Sequence, residues 1–167
     1  MRKTIKTVPC GGLTAVYRQE TETSVVELLL LPTAMQNEVQ RTDCAAEPLV
    51  QLKLRQDDAP AVFSGGRTMR NAPSTAALQF SAQSEQHDAT GVRVTTILRD
   101  ARGYTAKHTL RLFNCNAAAE IETSFLNDSG AAVTLEMLSG FTLGSLSPFG
   151  SDLASETLKI HRMRSTW

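Results

Sequence analysis

Acid–base chemistry near neutral pH falls first to histidine, and this chain has three: His87, His108 and His161. A nucleophile triad needs such a base beside its nucleophile. No G-x-S-x-G elbow or related signature accompanies any of the three. There is no HxH or HExxH spacing, and Cys10, Cys44 and Cys115 contain no CxxC pair, so no metal site is expected. The cysteines read as three reduced thiols. Adjacent carboxylates occur at Asp57 and Asp58, in a polar loop, and alternate carboxylates at Glu120 and Glu122, on the solvated face of a predicted strand. Both pairs read as solubilising charge. A glycosidase pair would have to converge on one cleft at about 5–10 Å. Gly11–Gly12 and Gly65–Gly66 lack a phosphate-loop pattern and read as turns. The chain's own chemistry thus designates no catalytic residue, metal or cofactor.

The totals describe the body that would have to position such groups. A length of 167 residues fits one domain spanning 1–167, with enough chain for a sizeable core. Seventeen basic residues balance seventeen acidic ones, so no nucleic-acid or anionic-membrane partner is expected. The longest apolar run, "VVELLLLP", is interrupted by Glu27 and is too short to span a bilayer. No apolar run of signal-peptide length follows the basic start, which leads to the expectation of a cytoplasmic protein. "NDS" at Asn127 then reads as a turn and not as a glycosylation site.

The dominant hydrophobic period is two. Val92, Val94, Thr96 and Leu98 share one face of a strand, and Tyr104, Ala106, His108, Leu110 and Leu112 share one face of the next. Ile121, Thr123 and Phe125 form a third set, and Val133, Leu135 and Met137 a fourth. Such alternation places one face on a core and the other in water, as antiparallel sheets do. "RDARGY" and "NDSGAA" read as hairpin links, and "CNAAA" joins the middle pair. Residues 92–141 therefore predict a four-strand meander. Further strands are expected at "SVVELLLLP", ended by Pro32, at "PLVQLKLR" and at "AALQFSAQSEQ", with a short helix between residues 32 and 47. His108 reads as a half-buried, hydrogen-bonded residue. The expected fold is all-β: a two-sheet antiparallel β-sandwich, supersandwich-like, with at most a short helix.

The C-terminal third carries a more specific signal. "VTLEMLSGFTLGSLSPF" is followed by "LKIHRMRSTW". Together they resemble the N-terminal domain of family 36 α-galactosidases, the melibiases, in which a phrase like "VTLEMLSSFxLGxLxPF" precedes "LxxHRxRSxWS". Glu136, Leu138, Ser139, Phe141, Leu143, Gly144, Pro148 and Phe149 match the first motif. His161, Arg162, Arg164, Ser165 and Trp167 match the second. The motifs are specific from about Glu120 onward, and "GGRTMRNAPST" is similar to a loop of some members.

The resemblance implies a parent enzyme that removes terminal α-linked galactose with retention of configuration, using two aspartates on a (β/α)8 barrel. The barrel follows the sandwich in that family, and neither aspartate motif occurs here. The chain is then expected to be the non-catalytic N-terminal domain of a longer enzyme. It would support the barrel, the active-site rim and assembly, and it would be inactive alone. Its partners would be the barrel, α-galactosides through the full enzyme, and possible further copies in a homo-oligomer. Arg67 and Arg70 are candidate contacts at the substrate rim, because a guanidinium can make forked hydrogen bonds. His161, Arg162, Arg164 and Trp167 are candidate barrel-docking residues. Strict alternation sends Arg162 and Arg164 to the face of Leu158 and Ile160, which suits a covered surface or a bulge. The competing reading is a free-standing carbohydrate-binding sandwich. One Trp, two Tyr and six Phe are a thin supply of rings for stacking on sugars.

Overall fold

The computed structural model describes residues 2–38, 46–57, 72–115 and 117–144. The chain begins with a hairpin. β1 (Arg2–Cys10) and β2 (Leu13–Glu20) pair antiparallel across the turn at Gly11 and Gly12. Gly11 has a φ of 56°, a conformation that costs glycine little and other residues more. β3 (Val26–Pro32) pairs with β2 and completes a three-stranded sheet. Val26 and Leu28 enter the core, while Leu29 and Leu31 are buried on the opposite face. A strand buried on both faces reads as a continuous apolar run, which accounts for "VELLLLP". A 3-10 helix, Thr33–Glu38, follows Pro32 where a short helix was expected.

Sequence patterning did not mark β1 and β2 as strands. A bulge lies between Thr4 and Lys6, so the two halves of β1 alternate out of phase. The period-two signal is lost at the point where the bulge resets it.

β4 (Leu52–Leu54) is short, and α1 (Pro73–Ala76) is a single turn with proline in its first turn. β5 (Gln79–Asp88), β6 (Gly91–Arg99), β7 (Tyr104–Phe113) and β8 (Ala119–Asn127) form an antiparallel sheet in sequential order. Alternation along β7 is strict: Tyr104, Ala106, His108, Leu110 and Leu112 are buried, and Lys107 faces water. The link after β6 is the expected hairpin, closed by Asp100 N–H donating to the Tyr104 carbonyl at 2.9 Å. Gly91 is packed so tightly that a Cβ there would sit 1.9 Å from the carbonyl oxygen of Leu112 on β7.

The expected four-strand meander ends one strand early. β9 (Leu135–Leu138) does not pair with β8; it pairs antiparallel with β4, Leu52 opposite Leu138. The reason lies in "NDSGAA". The Asn127 carboxamide oxygen accepts the Ser129 N–H at 3.0 Å, and its NH2 donates to the Ala131 carbonyl at 2.7 Å. These bonds turn the chain away from β8, where a tight hairpin would have returned it. The same contacts bear out Asn127 as a turn residue.

The fold is thus mostly β, with antiparallel sheets and one short α-helix among the described residues. One apolar cluster joins the sheets. Val8, Ala15, Tyr17 and Leu28 from the first share it with Val94, Leu98, Leu110 and Leu112 from the four-stranded sheet and with Leu52 and Leu54 of β4. Each fully buried leucine contributes roughly 1.5–3 kcal/mol of transfer free energy. At one margin, Lys6 on β1 pairs with Glu85 on β5 at 2.8 Å.

Asp57 departs from its expected solubilising role. It is 8% exposed; one carboxylate oxygen accepts the Leu54 N–H at 2.9 Å and the other accepts the Ser74 hydroxyl at 2.7 Å. It fastens α1 to the end of β4. Thr75 does the same from the next position, donating to the Leu52 carbonyl at 2.8 Å and accepting the Leu52 N–H at 2.9 Å. Asp58 lies outside the described residues.

Candidate functional site

Arg67, Arg70, His161, Arg162, Arg164 and Trp167 all lie outside the described residues. The first motif is described as far as Gly144, and its residues show what such a sequence does locally. Glu136 pairs with Lys53 across the β4–β9 ladder at 3.0 Å. Ser139 exchanges two hydrogen bonds with Gln51: its N–H donates to the Gln51 carbonyl and its hydroxyl accepts the Gln51 N–H, both at 2.8 Å. Leu138 and Leu143 pack against the core. Met137 and Phe141 instead stand 49% and 55% exposed, so this segment presents apolar side chains outward.

The described part of the motif reaches β3. Gly144 N–H donates to the Leu28 carbonyl at 2.8 Å, and Leu49 N–H donates to the Val26 carbonyl at 2.7 Å. Two loop segments thereby occupy the open edge of the first sheet, a usual way of blunting an unpaired edge. A Cβ on Gly144 would lie 2.6 Å from Glu27 Oε2, so the chain passes close to that carboxylate here.

Glu27 is the acid that interrupts the apolar run of β3, and it is 1% exposed. Arg2 Nη1 lies 3.2 Å and Arg18 Nη2 lies 2.7 Å from its Oε1. Neither contact has the geometry of a well-formed hydrogen bond, so the attraction is mainly one of charge. The three residues come from β1, β2 and β3, and Arg18 stands directly opposite Glu27 in register. Sequence reasoning did not find this cluster. Its one signal was a lone acid inside an apolar strand, which requires a buried cation nearby.

A second polar group sits inside the core. His108 is fully buried, and neither ring nitrogen has a hydrogen-bond partner among the described residues. The expectation of a half-buried, hydrogen-bonded histidine is not met. Burial alone pushes its pKa down to about 4, so the ring is neutral at pH 7. Thr96 on β6 and Thr123 on β8 stand opposite it in register. The buried Tyr17 hydroxyl approaches Thr96 without completing a hydrogen bond, and burial raises its pKa. Thr96 instead accepts from the Gln83 carboxamide at 2.9 Å. This arrangement holds no nucleophile activated by a base. His87 is exposed and pairs with Glu85 on its own strand at 2.7 Å.

Glu120 and Glu122 are exposed on the outer face of β8, as expected. Cys10 is buried and Cys115 exposed, both as free thiols. Among the described residues, no group of three or more His, Cys, Asp or Glu is placed to hold a metal ion. No helix among them is long and apolar enough to cross a membrane. No protein-family model, curated protein or solved structure matches this chain.

Proposed function

We infer that the chain is the non-catalytic N-terminal β-domain of a family 36-like α-galactosidase, an enzyme that hydrolyses terminal α-D-galactosides. The observation that carries this reading is the pair of motifs, "VTLEMLSGFTLGSLSPF" and "LKIHRMRSTW", in order and near the C-terminus. The antiparallel β fold is the kind the resemblance implies. The described motif residues support it in a second way. Ser139, Leu143 and Gly144 have structural roles, tying one segment to β3 and to the chain before β4, which suits a scaffold more than a reaction centre. Met137 and Phe141, exposed beside them, suit a surface that another domain covers.

On this reading His161, Arg162, Arg164 and Trp167 belong to the joint with a catalytic barrel, and Arg67 and Arg70 to the rim of its active site. The chemistry belongs to two barrel aspartates that this chain does not carry. The purified 167-residue protein should therefore leave p-nitrophenyl α-D-galactoside unhydrolysed above the buffer rate. Turnover that co-purifies with the chain would place the reaction on these residues and end the scaffold reading.

A further inference from the structure

The outer face of the β1–β2–β3 sheet carries a cavity of about 260 Å³. Its walls follow from strand register. Thr7, Val16 and Leu29 form one cross-strand row, and Thr4 and Arg18 lie in the next. Thr4 and Thr7 are three residues apart, so unbroken alternation would send them to opposite faces. The bulge at Ile5 resets the phase and brings both threonines to the cavity. Gln36 and Asn37 line it from the 3-10 helix that follows β3.

The lining has a definite chemical character. Val16, Leu29 and Leu31 supply an apolar wall, the two leucines being only 1% and 2% exposed. Among the described lining residues, two hydroxyls and two carboxamides are neutral donors and acceptors, the Gln36 carboxamide oxygen already accepting the Thr14 hydroxyl at 3.3 Å. The Arg18 guanidinium is already engaged by Glu27 at 2.7 Å. At about 260 Å³ and open to solvent on one side, the cavity has room for a small molecule. A matching guest is neutral, has hydroxyls around its edge, and has C–H groups on its faces.

We propose that this cavity binds one small, neutral, hydroxyl-rich molecule of the class of monosaccharides and cyclic polyols. The proposal does not rest on the α-galactosidase reading. It stands or falls on titration of this chain, whatever domain accompanies it.

Amide-resonance NMR of the purified protein, titrated separately with D-galactose, D-glucose and myo-inositol, tests it. Sodium phosphate and sodium acetate serve as the anion arm. The expected result is saturable shifting by at least one neutral compound, centred on Thr4, Thr7, Val16 and Asn37. Thr7→Val keeps the side-chain shape and suits a strand, yet removes the hydroxyl; it should weaken binding by about tenfold. Asn37→Ala should also weaken it. The proposal is overturned if no neutral compound saturates in the millimolar range, or if the shifts centre elsewhere. It is equally overturned if both variants bind as the parent does, or if only phosphate or acetate binds.

Discussion

His108 is a residue whose sequence context and structural state diverge. Its place on the apolar face of β7 was legible from alternation with Tyr104 and Leu110. The lack of a hydrogen-bond partner for its ring among the described residues was not, because that depends on what β6, β8 and the opposing sheet bring to the same spot. The consequence is a pH dependence of stability with a defined sign. In the unfolded chain the ring takes its ordinary pKa of about 6.5, whereas in the fold burial holds it at about 4. The unfolded state therefore binds the proton more readily. This residue's contribution is fully present above about pH 6.5 and is lost as pH falls towards 4, below which it changes no further. The gap corresponds to roughly 3 kcal/mol. Urea denaturation at pH 7.5 and pH 4.5 captures about three quarters of it, and His108→Leu should remove most of the difference between the two. An equal acid loss in parent and variant would show that other groups set the acid limit.

At the scale of elements, sequence patterning found β6, β7 and β8 because each alternates without interruption and is bounded by turn residues. It found β3 because a strand covered on both faces reads as an apolar block. It lost β1 to the bulge at Ile5, and it placed β9 in the wrong sheet. Alternation also misjudged its faces: Leu135 and Met137, expected on the core side, stand 39% and 49% exposed, and the partner strand is chosen by the path of the loop. Asn127 and Ser129 form their own turn, and β9 leaves for β4. The Glu27 cluster was equally hidden, because Arg2 and Arg18 approach it only once three strands are in register. That cluster yields the prediction at this scale. Arg2 and Arg18 have side chains only 8% exposed, and Glu27 only 1%, so Glu27→Ala removes the buried carboxylate that the two guanidiniums share. A loss of about 3–5 kcal/mol is expected, with the β1–β2–β3 sheet the first to lose hydrogen-exchange protection. An unchanged urea midpoint would mean that the charges are compensated elsewhere.

At the scale of the molecule, among the described residues two sheets share one core, a third small ladder joins β4 to β9, and the first motif meets β3 at Gly144. This organisation explains why the motif needs Ser139, Leu143 and Gly144 without assigning any of them to catalysis. On the proposed reading, the exposed Met137 and Phe141 belong to the joint with the next domain. The central claim is that the chain is one domain of an α-galactosidase, and the most direct test is to sequence the reading frame that encodes it through and beyond the codon for Trp167. The account predicts an uninterrupted continuation into a (β/α)8 barrel carrying two aspartates at strand ends. A stop codon directly after Trp167, or a continuation into an unrelated domain, would contradict it.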